Sequence, residues 1–283
     1  MRRSRSSLGR LTTKVLFTAA ATLSPAEALV AQQPETEGFA SLSVDGPTPP
    51  VAPEVINREG TDATIRAVRL SARLNLDGEL DEAFYQETRS ITGFIQSVPD
   101  EGAPATERTE AWITFDDDNI YVSARVWDSA PEREWVANEM RRDARQLRQN
   151  DTFGVSFDTF YDRRNGVMFY TNPLGALGDF AITNEGNPIS DWNPVWDVRT
   201  GRFDGGWTVE MQIPFKSLRY RPGRQQVWGV QLRRVVRRKN EWSYVTLIPR
   251  SASGTGGRGA FRLSRSGTLV GLEAPPKSRV IEV

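Results

Sequence analysis

The sequence predicts a mainly β protein, an antiparallel β-sandwich with one or two short helices. Apolar and polar residues alternate over six segments, turn-forming residues separate these segments, and an Asp-Asp-Asp-Asn run at 116–119 joins two of them. Because successive side chains of a strand point to opposite faces, such alternation indicates strands with one buried face. Several strands of this kind with turns between them are typical of a sandwich.

The alternating segments also predict which side chains face the core. They are residues 111–115, 120–127, 152–158, 166–171, 207–213 and 227–236. In the first segment Ala111, Ile113 and Phe115 point one way and Trp112 the other. Residues 81–88 have helical spacing, and the charged stretch 132–148 is predicted to be a surface helix or helical loop. The Gly- and Ser-rich stretch 251–259 is predicted to be a flexible loop.

The chain also divides by composition. Residues 1–31 are predicted to be a signal peptide, with basic residues before the apolar run 15–23 and small residues at the end. Residues 32–62 are predicted to be a disordered Pro- and Gly-rich linker, 63–272 a binding domain, and 273–283 a C-terminal linker or the start of a missing segment. The protein is therefore expected to be exported to the periplasm, the outer membrane or the extracellular space.

The composition removes most catalytic chemistries. The chain contains no His and no Cys, so a Ser-His-Asp triad, a thiolate nucleophile, a disulfide and a Cys- or His-ligated metal are all excluded. Carboxylate-pair glycoside hydrolysis and a hard, oxygen-bound metal remain. Acidic and basic residues balance at 36 each and are interspersed, which does not favour a nucleic-acid partner. No segment after residue 31 is apolar enough to predict a transmembrane helix.

Three segments in fixed order resemble the family 9 carbohydrate-binding module. They are LDGELDEAFY at 76–85, ERTEAWITFDDDNIYVSARVWD at 107–128 and GWTVEMQIPF at 206–215, and the resemblance spans about residues 63–249. It implies an exported β-sandwich that binds a saccharide without catalysis. Many similar proteins continue into an outer-membrane β-barrel, so this chain is expected to be either a fragment or a shortened member. Outer-membrane association through a missing barrel is part of that expectation.

The resemblance also implies a sugar slot between two aromatic rings, with charged side chains reading the hydroxyls. Arg125 matches the Arg of the YVSARV strand, and the acidic residue would be Glu107 or Glu110. One ring would be Phe94 or Trp112, and the second Trp192 or Trp196.

The loop 184–197 points to binding independently of the resemblance. Trp192 and Trp196 lie four residues apart among Asp, Asn and Pro residues. Aromatic rings stack on the C–H faces of sugars, so two Trp residues on a polar loop favour a binding platform. The alternative is that both rings plug one end of the sandwich.

Two acidic groups are candidate Ca²⁺ ligands. Asp116 and Asp118 lie in the predicted hairpin turn, and Asp158 ends a predicted strand. The resemblance implies structural calcium in some members, although the spacing is not that of an EF-hand loop. The alternative is that the first group is only a turn.

The function predicted from these features is non-catalytic recognition of a saccharide, with no catalytic residues assigned. The alternatives are an envelope interaction or scaffold domain that has lost sugar binding, and a glycoside hydrolase using a carboxylate pair. A haem-binding relative is a third, which without His would need Met or Lys ligands.

Overall fold

The computed structural model describes residues 52–253 and 257–276, and strands dominate this part of the chain. The predicted signal peptide, residues 32–51 of the predicted linker and residues 277–283 lie outside the described residues. The strands are β1 (Ile56–Glu59), β2 (Asp62–Arg66), β3 (Val68–Arg69), β4 (Ile95–Val98), β5 (Thr109–Phe115), β6 (Asn119–Trp127), β7 (Thr152–Asp158), β8 (Gly166–Thr171), β9 (Gly178–Thr183), β10 (Asn187–Ile189), β11 (Asp197–Phe203), β12 (Gly206–Pro214), β13 (Gln225–Val236), β14 (Glu241–Tyr244) and β15 (Gly267–Glu273). The short helices are α1 (Phe84–Glu87) and α2 (Arg250–Ser253).

These strands form two sheets. The larger sheet has the order β1-β2-β15-β13-β7-β8-β9-β10, with β14 pairing both β13 and β4. The smaller sheet has the order β11-β12-β6-β5-β3. Pairing is antiparallel except where β15 meets β2 and where β3 meets β5. The predicted fold class, a mainly β sandwich with short helices, is confirmed.

The core lies between the sheets, as the alternation predicts. Ala111, Ile113 and Phe115 join one large apolar cluster with residues of β6, β7, β12 and β13, while Trp112 packs in a separate cluster on the outer face of the smaller sheet. Burial of this continuous apolar surface is the main favourable term in folding.

Several segments differ from the sequence prediction. The stretch 132–148, predicted to be a surface helix or helical loop, is a loop with two 3₁₀ turns, Glu132–Glu134 and Arg145–Gln149. Too few of its residues are apolar to bury a helical face. The stretch 251–259 contains part of α2 and the start of a 3₁₀ turn, Arg258–Phe261. Strand β1 lies inside the predicted linker, because pairing with β2 satisfies its backbone groups.

The outer face of the smaller sheet is covered by the segment that contains LDGELDEAFY. Glu210 of β12 holds it: one carboxylate oxygen accepts hydrogen bonds from the backbone N–H groups of Gly78, at 2.8 Å, and Asp77, at 3.2 Å. The other oxygen accepts the Tyr85 hydroxyl at 2.9 Å. Gly78 has φ +92°, and a Cβ there would lie 2.8 Å from the backbone of Thr200. The segment LDGELDEAFY, residues 76–85, is therefore held in place over the outer face of the smaller sheet.

The Glu210 carboxyl should make stability depend on pH. Burial raises its pKa to about 7, although the three donors favour the ionised form. The folded state thus holds the proton more tightly than the unfolded chain. The contribution of the Glu210 carboxyl to the unfolding free energy is therefore full below the ordinary pKa of 4.5 and is lost as the pH rises towards 7. We expect the unfolding free energy of Glu210→Gln, measured in urea, to decline less between pH 5 and 8 than that of the wild type. Glu59→Gln, on exposed β1, is the control; parallel pH curves for the Glu210 variant and the wild type would contradict this account.

Candidate functional site

A cavity of about 360 Å³ opens where strand β6 ends beside the hairpin of β11 and β12. We call it the Trp135–Phe203 pocket; its lining comprises Asp128, Ser129, Ala130, Pro131, Glu132, Trp135, Arg202, Phe203, Asp204, Gly205 and Gly206. The hairpin turns at Asp204 and Gly205, since Phe203 pairs with Gly206. The backbone N–H of Asp128 donates to the Gly205 carbonyl at 2.8 Å, which holds the turn against the end of β6.

Two half-buried aromatic rings line this pocket, and a third packs against one of them. Trp135 and Phe203 line it, and Trp127 packs edge-on against Phe203 with ring centroids 5.3 Å apart. A Cβ at Gly206 would lie 2.5 Å from the Phe203 ring, so the ring reaches this position only because the residue is glycine. Val126 of β6 faces the core, so the strand alternation places the next residue, Trp127, on the opposite face.

Arginine side chains cover two of these rings. The Arg108 guanidinium lies 4.3 Å from the ring centroid of Trp127, and that of Arg202 lies 5.6 Å from Trp135. Arg202 also pairs with Glu132 at 2.7 Å, and both side chains are substantially exposed. Together with exposed Asp204 they give the pocket movable hydrogen-bonding groups around apolar ring surface, the combination found in sites for small polar ligands.

A buried ionic network adjoins the wall of the pocket at Ser129. Glu107 accepts hydrogen bonds from the Ser129 backbone, at 2.9 Å, and its hydroxyl, at 2.7 Å, and pairs with Lys239 at 2.6 Å and with Arg238. Burial opposes its ionisation, yet the hydrogen bonds from Lys239, Ser129 and Arg238 lower the Glu107 pKa to about 2. Glu107 is therefore a fixed anion that positions Ser129 in the pocket wall and is itself buried.

The structure does not present Trp192 and Trp196 as an open platform. Trp196 is 5% exposed, packs against Phe169 with centroids 5.1 Å apart, and donates its indole N–H to Asp179 at 2.9 Å. Trp192 is half-buried against the same Phe169 ring. Arg142 also donates to Asp179 at 2.7 Å, and burial raises the pKa of this carboxyl to about 6. The loop thus docks on the core, because a buried indole N–H needs an acceptor and Asp179 supplies it.

The other residues of the expected sugar slot lie in different environments. Phe94 is buried in the core between the sheets, whereas Trp112 is buried under the cover of the smaller sheet. Arg125 is half-buried, donates to the Leu80 carbonyl at 2.7 Å and lies 5.5 Å from the Trp112 ring. Of the expected set, Glu107 alone adjoins the Trp135–Phe203 pocket, through Ser129.

The three predicted calcium ligands are not brought together. Asp116 caps its own turn, accepting hydrogen bonds from Asn119 and Tyr121. Asp158 is buried in β7 and accepts the backbone N–H groups of Asp162 and Arg163. Among residues 52–253 and 257–276 there is no group of three or more acidic side chains that could hold a metal ion. Structural calcium stays a prediction.

A larger cavity of about 700 Å³ lies near Asp118, Gln212 and the buried rings of Phe215 and Tyr220. Phe215 is 1% exposed and Tyr220 is 4% exposed. Their faces are therefore occupied by the core, and this cavity offers a ligand little ring surface. In the same described part of the chain, no helix is long and apolar enough to cross a bilayer.

Sequence reasoning missed Phe203 and gave Trp135 no role. Phe203 precedes Asp204-Gly205, a hairpin signal before the GWTVE strand, and an aromatic residue at such a turn marks the end of a sheet. Trp135 was visible as an apolar residue within a charged stretch. What no local pattern could supply was the contact between these two segments, which lie about seventy residues apart.

No family model and no curated protein matches the sequence. Solved structures with a similar fold include the following two. One is a family 9 carbohydrate-binding module from Caldicellulosiruptor kristjanssonii, in complex with glucose, with 15% identity and a TM-score of 0.50 over 78% of this chain and 100% of that one. The other is a Bacteroides uniformis protein whose assignment as carbohydrate-binding is provisional, with 10% identity and a TM-score of 0.59 over 75% of this chain and 99% of that one. The described part of the chain therefore has the β-sandwich fold of family 9 carbohydrate-binding modules, as the resemblance implied.

Proposed function

We propose that the protein is a non-catalytic saccharide-binding module that uses the Trp135–Phe203 pocket. The observation that carries the proposal is the pair of half-buried rings, Trp135 and Phe203, that line a 360 Å³ cavity rimmed by exposed charged side chains. A similar fold binds glucose in the Caldicellulosiruptor module. The ring faces would stack on the C–H surface of a sugar, and Arg202, Glu132 and Asp204 would bind its hydroxyls.

The cation–π contacts suggest how the pocket would accept a ring. Arg202 lies over Trp135 and pairs with Glu132, and both partners are more than a third exposed. Exposed ion pairs of this kind contribute about 0–1 kcal/mol to stability. The Arg202–Glu132 pair can therefore break at little cost, and both side chains can then bind sugar hydroxyls. The buried network around Glu107 would meanwhile keep the pocket wall in place.

The proposal is tested by glycan-array binding followed by calorimetric titration with glucose and the array's strongest ligands. Loss of one stacking ring is worth roughly 0.5–1.5 kcal/mol, so Trp135→Ala and Phe203→Ala should each weaken binding by about two- to twelvefold. Trp192→Ala is the matched control, because it removes a half-buried ring from another loop. Loss of binding in Trp192→Ala but not in the other two variants would move the site to the 184–197 loop.

A specific observation favours one second candidate, an envelope interaction domain without sugar binding. A domain of this fold that has lost sugar binding would use Trp192 and Trp196 for packing alone, and Trp196 is buried while Trp192 packs on Phe169. A folded protein that binds no glycan on the array would support this candidate over the saccharide-binding module.

A further inference from the structure

A second, smaller cavity lies on the outer face of the larger sheet. Its volume is about 160 Å³, and we call it the arginine pocket, after the three arginines in its lining: Arg148, Arg233 and Arg258. Tyr170 of β8, Phe180 of β9 and Trp242 of β14 form its aromatic walls. Alternation along β13 directs Arg233 to this outer face while Leu232 enters the core between the sheets. The pocket is thus built from the sheet that does not form the Trp135–Phe203 pocket.

Arg233 is a buried cation that no carboxylate of the described residues pairs with. Its residue surface is 7% exposed, and its Nε has no hydrogen-bond partner. Within the described ranges its guanidinium makes one long hydrogen bond, 3.4 Å to the Thr152 hydroxyl, and no ion pair. Burial lowers its pKa, and nearby Arg148 lowers it further, against the opposing influence of Tyr244 and Tyr170. A buried charge in a native protein is ordinarily paired, so this one calls for an anion that the described residues do not supply.

The remaining groups of the pocket point to the same conclusion. Arg148 and Arg258 are exposed, and neither forms an ion pair with a carboxylate of the described residues. The Arg148 guanidinium instead lies 4.6 Å from the Phe180 ring centroid. None of the residues that line the pocket is acidic. Three guanidinium groups around one small cavity create a strongly positive local potential.

The donor atoms converge on one place. A Cβ on Gly257, which has φ +88°, would lie 3.5 Å from the Trp242 indole nitrogen and 3.7 Å from Nη1 of Arg233. These two nitrogen atoms therefore border the same small space beside a residue that has no side chain. A guanidinium fork and a neighbouring indole N–H are suited to the two or three oxygens of one oxyanion.

We propose that the arginine pocket binds an oxyanion on a ligand no larger than a single acidic sugar residue. Arg233 would hold two oxygens with its planar fork, Trp242 would donate to the same group, and Arg148 and Arg258 would close over it from the surface. The volume of 160 Å³ is below the usual range of about 300–1,000 Å³ for drug-sized ligands, which limits the occupant to a small anion. This proposal does not depend on saccharide binding at the Trp135–Phe203 pocket.

The test is calorimetric titration and thermal denaturation of the full chain in chloride buffer, with glucuronate, galacturonate, glucose, inorganic sulfate and inorganic phosphate. We expect both uronates to bind and to raise the melting temperature, and glucose not to bind this pocket. Arg233→Met should weaken uronate binding at least tenfold. It should also leave the unliganded protein at least as stable as the wild type, since it removes an uncompensated buried charge.

Two further arms locate the site and identify the source of the anion. Arg148→Met and Arg258→Met change exposed residues, so they test the pocket even if Arg233→Met does not fold. Each of these two variants should weaken uronate binding. The control is Arg265→Met, which changes an exposed arginine outside the lining and should leave binding unchanged. Sulfate or phosphate binding that also depends on Arg233 would support the oxyanion site and identify a free inorganic ion as its occupant. Binding of none of these anions, or binding that none of the three lining variants weakens, would overturn the proposal.

Discussion

Replacement of Asp128 by alanine should destabilise the protein by about 3–5 kcal/mol, the range found when one partner of a buried ion pair is removed. The Asp128 and Arg234 side chains are each 1% exposed and lie 3.5 Å apart, and Asp128 also pairs with Arg238. Two nitrogens of Arg234, Nε and Nη1, already have no hydrogen-bond partner. Without Asp128 the guanidinium would form no ion pair with a described residue, and the carboxylates of Asp151, Glu107 and Glu241 alone would offset its burial. For a domain of this size the loss corresponds to a fall in melting temperature of roughly 6–20 °C.

Chemical denaturation of Asp128→Ala and Asp128→Asn would separate the charge from the hydrogen bond. The asparagine side chain still accepts from the Ala130 backbone N–H, which Asp128 does at 2.9 Å, so its cost should be smaller. Asp197→Ala is the matched control, because its pair with Arg199 is about half exposed and should contribute less than 1 kcal/mol. Equal costs for Asp128→Ala and Asp197→Ala would show that the Arg234 charge is compensated by other means.

Trp228→Ala should cost a similar amount, about 3–5 kcal/mol, for a different reason. Trp228 is fully buried between the sheets, with ring centroids 5.6 Å from Phe157 and 5.9 Å from Tyr220. Its indole N–H donates to Gln226 at 3.1 Å. Truncation removes this apolar surface from the core and leaves a cavity that the rigid strands of both sheets cannot close. It also removes the indole N–H that the Gln226 amide oxygen accepts.

Urea denaturation of three tryptophan variants would check the cavity argument. Trp228→Phe keeps a ring and should lose less than Trp228→Ala, while Trp192→Ala removes a half-buried ring and should cost least. A cost below 1 kcal/mol for Trp228→Ala would mean that the surrounding side chains repack into the space.

The strands with one buried face were predictable from the sequence, and for a physical reason. Residues 152–158 and 166–171 carry a complete two-residue period, and β7 and β8 have the same bounds. β11 was missed because its residues alternate little in polarity and only Val198 is buried. β15 was missed because it lies after a Gly-rich stretch and pairs with β2, far away in sequence.

The candidate site was less predictable than the fold. The exposure of Trp192 and Trp196 was inferred from their polar neighbours, but burial of Trp196 depends on Asp179, a residue of another strand. Arg233 and Arg234 are neighbouring basic residues that the sequence alone does not distinguish. Alternation along β13 places one on the outer face, where no carboxylate of the described residues pairs with it, and the other beside Asp128. Charge compensation of this kind is a tertiary property that a local pattern does not encode.

The parallel pairing of β15 with β2 has a kinetic consequence. Thr268 lies opposite Thr64, so this ladder joins parts of the chain about two hundred residues apart. The entropy lost in closing such a loop grows only with the logarithm of its length, and the ladder therefore adds little to the equilibrium cost of folding. Contacts of such long range are, however, the ones that slow folding, because the closure entropy is lost before the contacts that offset it have formed. In the larger sheet β2 pairs only with β1 and β15, so in a nascent chain β1 and β2 cannot join this sheet until β15 has been synthesised.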